Sequence, residues 1–295
     1  MGVASATPSS EIDEFLSRCT FPDAGTKVDC AFSGGADSTA LLILATAAGL
    51  HVTAHHVDHG LRPESSTEAN RAQVIAEQLG VAIVVHRVDV DPGPNLEARA
   101  RKARFAALPA GSLTGHTADD QAETVLIRLL RGAGVTGLAA ITPGPTHPLL
   151  ALRRHETVAI CATRGIEPII DPSNSDPAMW RNRVRHELIP LMTEIAGRDP
   201  VPVLARTADL LRDDDELLNG LVRSIDPTDA RQLRAVEPAL ARRALRQWLT
   251  VDGYPPDAAS IDRVFAVVSG EAIACEISGG RRVSRSDQRL RVEGD

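Results

Sequence analysis

The stretch Lys27-Val28-Asp29-Cys30-Ala31-Phe32-Ser33-Gly34-Gly35-Ala36-Asp37-Ser38-Thr39-Ala40-Leu41-Leu42-Ile43-Leu44 decides the fold class. Its opening alternates as a strand does, its end is an apolar run, and two glycines stand between, so it reads as strand, tight turn and helix start. Adjacent glycines admit positive φ and let backbone approach a ligand closely. The first amides of the helix lack internal partners and carry partial positive charge from the helix dipole. Such a terminus binds anions, phosphate foremost. Ser33 and Ser38 add hydroxyl donors, and Gly34, Gly35 and Ala36 supply backbone amides. Asp37 is out of place in a loop that cradles an anion alone, because a carboxylate beside phosphates needs a metal between them. ATP or pyrophosphate with Mg2+ held at Asp37 is the reading that follows. The plainer alternative is a strand-to-helix turn with Asp37 or Ser38 as its cap.

The loop is not a Walker loop, since Asp37 stands where that motif has lysine. The six residues Ser33 to Ser38 resemble the PP-loop of ATP pyrophosphatases, which split ATP into AMP and pyrophosphate while adenylating a substrate.

The 295 residues suffice for one large domain or a large and a small one. At 43% hydrophobic and 24% charged, the composition is that of a soluble globular protein. Aromatics make up 3%, too few for many base-stacking platforms, and the net charge of -7 argues against broad nonspecific nucleic-acid binding. Lys27 and Lys102 are the two lysines, so arginine, which suits bidentate phosphate contacts, carries nearly all positive charge. Cys19, Cys30, Cys161 and Cys275 form no C-x-x-C pair, which suggests neither zinc nor an iron–sulfur cluster and fits a reduced, cytoplasmic protein. No signal peptide is visible, and no window approaches the ~20 apolar residues of a membrane span.

In chain order, residues 1–10 read as a loose tail and 11–19 as a short helix. The helix after the glycine turn runs to about Gly49. His51 to Val57 reads as a second strand ending in Asp58-His59-Gly60-Leu61-Arg62. His55, His56 and His59 either bind a metal, or shape a nucleotide pocket or satisfy hydrogen bonds; with no cysteine or fourth ligand in view, metal binding is the reading set aside. A helix follows from Pro63 to Leu79-Gly80, then Val81 to Val85 as an apolar strand covered on both faces. Asn95 to Phe105 reads as a helix with Arg101 and Arg104 on one face, a clamp for phosphates or RNA backbone or else a solvated basic face.

A fourth strand at Ser112-Leu113-Thr114 leads through Gly115-His116 to a helix opened by Asp119 and Asp120, with Glu123 three residues on. Acids there suit the dipole, yet the carboxyl end of a parallel strand is also where open α/β sheets bind ligands. Arg131 to Leu138 reads as a flexible loop after a helix, which rules out a dinucleotide fingerprint. Strand and helix alternate four times, the pattern of a doubly wound parallel sheet. Helices are expected at 153–164 and from Trp180 to about Ala196, with residues 197–202 as linker between domains 1–197 and 203–295. The second domain reads as mainly helical, over 203–224 and 229–250, with Leu204, Leu210, Leu211, Leu217 and Leu218 as its stripe and Asp213 to Glu216 as a solvated face. Ala272 to Ile277 and Arg282 to Arg285 read as paired strands around Gly279-Gly280. Residues 281–291 hold five arginines against one aspartate, a local basic patch that points to a polyanionic partner.

Taken in order, these motifs resemble the tRNA(Ile)-lysidine synthetase family over roughly residues 28–192. They are Ser33–Ser38, Val57 to Arg62, Glu97 with Arg101 and Arg104, Gly115-His116 with Asp119-Asp120-Gln121-Ala122-Glu123-Thr124, Arg131-Gly132 to Gly137-Leu138, Pro148-Leu149-Leu150, and Asp171 to Asn174 with Arg181-Asn182-Arg183. Gly279-Gly280-Arg281-Arg282-Val283 resembles the end of that family's small substrate-binding domain. Phe105 stands where the family usually has tyrosine, and the chain stops short of the further C-terminal domain of longer members.

The resemblance implies a Rossmann-like PP-loop ATPase that attaches L-lysine to the wobble cytidine of an isoleucine tRNA with a CAU anticodon. The Ser33–Ser38 loop, His56, Gly115 and His116 would bind ATP, and Asp37 the Mg2+. Asp120 and Glu123 would hold or deprotonate the lysine ammonium, and Arg101 and Arg104 would stabilise phosphate charge. Arg181, Asn182, Arg183, Arg281, Arg282 and Arg285 would contact tRNA. The assembly state stays open between monomer and homodimer, and no membrane is involved. Three rivals remain at this point: a PP-loop tRNA thiolase, an ammonia-using synthetase of the GMP or NAD type, and a noncatalytic tRNA-binding protein.

Overall fold

A computed structural model describes residues 8–58, 65–88, 99, 103, 106–171, 176–251 and 253–294. His59 to Arg62, Glu97, Arg101, Arg104, Phe105 and the Pro172 to Ser175 stretch therefore lie outside the described residues. Two compact units divide the chain, Met1–Asp209 and Leu210–Asp295.

The N-terminal unit opens with α1 (Pro8–Ser17), β1 (Lys27–Ala31), α2 (Ala36–Ala47), β2 (His51–Asp58), α3 (Ser65–Gln78) and β3 (Ala82–Arg87). The three strands are parallel, in the order β1-β2-β3, with Lys27 opposite His51 and Thr53 opposite Ala82. The expected fourth strand shrinks to a single parallel bridge at Leu113, on the other side of β1. Two bonds make it: Ala31 N–H donates to the Leu113 carbonyl and Leu113 N–H to the Asp29 carbonyl, each at 2.8 Å. Chain order therefore reverses at β1, and the crevice at its carboxyl end is where such sheets bind ligands.

Helix α2 explains why the apolar run is continuous. Every residue from Ser38 to Ala45 is buried, so the helix has no solvent face to mark with polar residues. Around it pack Cys30, Phe32, Ala54, Leu149, Leu152 and Ile160. The third strand differs from expectation. Val84 and Val85 are 42% and 39% exposed, and among the described residues β3 is the edge strand, paired with β2 alone.

Beyond Leu113 come α4 (Ala118–Leu130), the short α5 (Val135–Leu138) and α6 (Arg154–Thr163). The helix expected from Trp180 is α7 (Trp180–Arg183), one π turn (Val184–Leu188) and α8 (Ile189–Ala196). Gly197, at φ 65°, ends it with a left-handed cap. The expected linker is shorter than read, since α9 (Val201–Val222) begins inside it, and the division between units falls within α9.

The C-terminal unit continues with α10 (Ala230–Ala235), α11 (Pro238–Leu249), α12 (Ala258–Ser269), and an antiparallel sheet of β4 (Ala274–Ile277), β5 (Arg281–Ser286) and β6 (Arg289–Glu293). Leu233, Leu245, Leu249, Ile261, Val264 and Val283 centre its core. Pro238 splits the expected 229–250 helix because its ring suits the first turn of a new helix and not a helix interior. The stripe on α9 is corrected too: Leu210 and Leu217 are exposed. Asp215, expected in solvent, is buried, with Arg243 2.7 Å away and Asn219 donating to it at 2.9 Å.

Candidate active site

Ser33 to Ser38 occupy the turn between β1 and α2. Gly34 has φ +82°, a conformation that calls for glycine, and a Cβ there would come 2.4 Å from Ile169 Cδ1, which would have to move. Gly35 is the N-cap of α2 and no side chain caps the helix, which leaves its first amides open to an anion. The hydroxyls of Ser33 and Ser38 lie 3.2 Å apart, and Ser38 Oγ also accepts from Ser33 N–H. Ala36 opens the helix. A second turn meets this one. A Cβ on Gly115 would stand 2.5 Å from the Asp37 carbonyl oxygen, so the turn after Leu113 touches the loop backbone directly.

The histidines support both turns. His56 is buried with Nδ1 3.0 Å from the Phe32 carbonyl. A carbonyl only accepts, so Nδ1 carries the proton, and burial lowers the imidazole's pKa. His116 and His147 each place Nδ1 2.7 Å from the Thr114 hydroxyl. Burial pushes the His147 pKa down as well.

Helix α4 brings in the acids. Thr117 caps it, and its N–H donates to Asp120 Oδ2 at 2.9 Å, so one oxygen of Asp120 closes its own helix. The other accepts from Arg154 Nη2 at 3.1 Å. Arg154 also reaches Glu123 Oε1 at 3.0 Å and Asp37 Oδ2 at 3.4 Å, tying the loop carboxylate to the α4 carboxylates. Thr157 Oγ1, one turn along α6, donates to Asp37 Oδ1 at 2.5 Å. Glu123 is fully buried. Arg185 meets it twice, Nε to Oε1 at 2.7 Å and Nη2 to Oε2 at 3.2 Å, and Arg181 Nε lies 3.3 Å from Oε2. Asp119 takes Arg153 at 3.0 and 3.1 Å and the Arg154 N–H at 2.8 Å.

Among the described residues, Asp37, Asp119, Asp120, Glu123 and Asp199 thus face Arg153, Arg154, Arg181 and Arg185, five carboxylates against four guanidiniums. Buried charges persist only when paired in this way. Burial raises the carboxyl pKa of Asp37, and the Thr157 bond and Arg154 do not offset it fully. Burial pushes Asp120 up too, but Arg154 and the Thr117 N–H outweigh it and hold Asp120 below its ordinary value. Asp119 is held down likewise, burial being outweighed by Arg153 and the Arg154 N–H. Burial opposes the charge on Arg154, yet Asp120, Glu123 and Asp37 raise its pKa.

The loop, Gly115, His116, Asp37, Asp120 and Glu123 therefore meet in one crevice. The residues expected to contact tRNA make these contacts within the chain. Arg181 turns inward to Glu123 and to Thr124, 3.0 Å from its hydroxyl. Asn182 is buried and its amide donates to the Asp176 carbonyl, bracing the start of the helix. Arg183 is exposed and pairs with Glu187 at 2.8 Å. Arg281 donates to the Leu249 carbonyl and Arg285 to the Val268 carbonyl, capping the ends of α11 and α12. Arg282 is exposed.

Sequence reasoning missed Arg153, Arg154, Thr157 and Arg185. One signal was present: two arginines opening a helix oppose its dipole and ask for acids facing them. The π turn that carries Arg185 had no such signal, though π turns often mark functional sites. Among the described residues no group of three His, Cys, Asp or Glu could hold a metal ion. Mg2+ needs only one or two carboxylates when phosphates complete its shell, and Asp37 fits that pattern.

A PP-loop domain model matches residues 6–192. The tRNA(Ile)-lysidine synthase of Nocardia farcinica is 40% identical over 287 residues, covering 92% of this chain and 89% of that protein. The enzyme of the same name from Mycolicibacterium paratuberculosis is 44% identical over 239 residues, covering 76% and 74%. Among solved structures, the U34-tRNA thiolase NcsA from Methanococcus maripaludis aligns with a TM-score of 0.50 at 16% identity, covering 70% of this chain and 78% of its own, a likeness of fold alone. With the loop, the acid pair and relatives matched over 89% and 74% of their own length, the chain belongs to the tRNA(Ile)-lysidine synthase family of PP-loop proteins.

Proposed function

We propose that the chain joins L-lysine to the wobble cytidine of CAU-anticodon tRNA(Ile), using ATP and releasing AMP and pyrophosphate. The observation that carries the reading is the bridge Asp37–Arg154–Asp120/Glu123, which sets the phosphate loop beside a buried acid pair. Carbon 2 of cytosine bears a carbonyl oxygen, a poor leaving group. Attack of that oxygen on the α-phosphorus of ATP expels pyrophosphate and makes AMP the leaving group. The lysine side-chain amine then attacks carbon 2, AMP departs, and the amine loses a proton.

The open amides of α2 and the Ser33 and Ser38 hydroxyls hold phosphates. Asp37 would hold Mg2+, which neutralises phosphate charge when bound. Asp120 and Glu123 receive the lysine ammonium. Their oxygens already accept guanidinium N–H groups, so the ammonium replaces an arginine contact and does not enter an empty acid pocket. Arg101 and Arg104 remain assigned to the departing pyrophosphate. The exposed Arg282 remains the candidate for RNA phosphate and the C-terminal unit for tRNA binding, whereas Arg183 would have to leave Glu187 to reach RNA. Catalysis is orientation plus electrostatics. A cytoplasmic location suits the substrate, and no described helix is long and apolar enough to cross a membrane.

The sulfur-transfer alternative is opposed by the thiols. Cys30 and Cys161 are buried, which pushes their pKa values up to about 12 and about 11, away from nucleophilic thiolate. The deciding experiment mixes the protein with ATP, Mg2+, labelled L-lysine and unmodified tRNA transcripts. Label on the CAU isoleucine tRNA, none on a CAU methionine tRNA, and AMP release are expected. AMP release without lysine label would move the nucleophile to sulfur or ammonia and overturn the reading.

A further inference from the structure

The chain has two tryptophans and few other aromatics. Trp248 packs against the core of the C-terminal unit. Trp180 instead is 55% exposed, although a ring of that size gains much from burial. It opens α7, and the next residue, Arg181, reaches Glu123 and Thr124 in the acid–arginine cluster. The Arg131 guanidinium carbon lies 5.8 Å from the centre of the Trp180 ring. Arg131 is exposed too, and it follows the last turn of α4, the helix that carries Asp120 and Glu123. From Glu123 to Arg131 the helix rises by roughly 12 Å. An exposed indole and a guanidinium plane therefore stand together about two turns from the reacting groups.

Sequence-specific proteins read unpaired RNA by splaying bases onto aromatic rings and guanidinium planes. A cation beside the ring also suits the phosphates between such bases, whereas an apolar protein partner would leave that charge uncompensated. We propose that Trp180, backed by Arg131, is the stacking platform for an unpaired base next to the reacting cytidine in the anticodon loop. This rests on the tRNA-ligase reading above and adds to it a positioning residue. The platform holds the loop while its neighbour base enters the cluster. Arg128 steadies the surface, donating to the Gly137 carbonyl of α5 and the Ala140 carbonyl just beyond it at 2.8 and 3.2 Å.

The test uses the full chain, an RNA hairpin with the anticodon stem-loop of a CAU isoleucine tRNA, and the variants Trp180→Ala, Trp180→Leu and Trp180→Phe. Leucine keeps an apolar side chain but removes the π-face, and phenylalanine restores it. Ala and Leu are expected to weaken hairpin binding roughly five- to a hundredfold, and Phe to recover most of it. KM for ATP and lysine stays within about twofold. Hairpin binding quenches tryptophan fluorescence in the parent, and the quench disappears in Trp180→Phe, where Trp248 alone reports. Thermal midpoints of the variants match the parent, which separates stacking from folding. Parent-like hairpin binding by Trp180→Leu, or an unchanged quench in Trp180→Phe, overturns the proposal. If the parent binds the hairpin through Trp180 but transfers no lysine, the ligase reading fails and the platform stands.

Discussion

Arg154 and Arg185 lie against buried carboxylates in the N-terminal unit, while Arg281 and Arg285 lie against helix-end carbonyls in the C-terminal unit, and Arg282 faces solvent. In sequence all five look alike, as arginines in basic or mixed stretches. Their surroundings separate them. A guanidinium on a buried carboxylate balances a charge that burial would otherwise make costly. A guanidinium on a helix C-terminus satisfies carbonyls that the helix leaves open. A guanidinium in water is free for phosphate. The contrast teaches that positive charge marks an RNA surface only where its donors are not already engaged.

The sharpest way to break this contrast is Glu123→Gln. It removes the buried carboxylate that Arg154, Arg181 and Arg185 share, leaving Arg185 only Asp120 at 4.0 Å, so stability should fall by about 3–5 kcal/mol, read by denaturant unfolding. Lysine transfer should fall with it, by roughly a hundredfold or more.

Next come Asp37→Asn and Asp120→Asn, which should lose transfer alike but part company in stability. The folded pKa of Asp37 is raised, so its ionisation opposes folding as pH rises through that value. Asn removes the opposition, and the thermal midpoint at neutral pH should hold or rise. The folded pKa of Asp120 is depressed, so its contribution is present above the ordinary 3.8 and lost as pH falls through the folded value. Asp120→Asn should cost about 1–3 kcal/mol at neutral pH and flatten the acid side of the stability curve. Equal midpoints for the two variants from acid to neutral pH would sink the distinction.

A smaller effect is expected in the C-terminal unit. Arg285→Ala removes a helix-end contact and should cost about 0.5–1 kcal/mol. The smallest is Arg282→Ala, with stability inside about 0.5 kcal/mol of the parent and a salt slope of tRNA binding shallower by about 1. A loss of stability from Arg282→Ala as large as that from Arg285→Ala would erase the line between capping and exposed arginines.

The N-terminal half was legible where the information is local. The strand, glycine turn and helix from Lys27 to Ala47 stand as read, because strand alternation, positive φ at Gly34 and the buried run are properties of neighbours in sequence. The His51–Asp58 strand and the α4 helix were legible for the same reason. The strand at 112–114 was over-read, since a short apolar run does not say how many ladder bonds it will make. The apolar run Val81 to Val85 implies a strand covered on both faces, and periodicity cannot place a strand at an edge. In the C-terminal unit α12 and β6 went unread, and Pro238 was passed over as a helix break although its chemistry is local.

By itself, the sequence determined the phosphate loop, the acids Asp37, Asp120 and Glu123, the parallel α/β class and the family resemblance. Each rests on residue types at short spacings that constrain the backbone or the chemistry directly. Only the tertiary structure decided which charges meet. Arg154 and Asp37 are 117 residues apart, as are the ends of no local pattern, and Arg185 reaches Glu123 across 62. Partner choice among arginines depends on burial and direction, which arise when helices from distant parts of the chain pack against one sheet. The same packing turns Arg181 inward and leaves Trp180 outward, one residue apart on one helix.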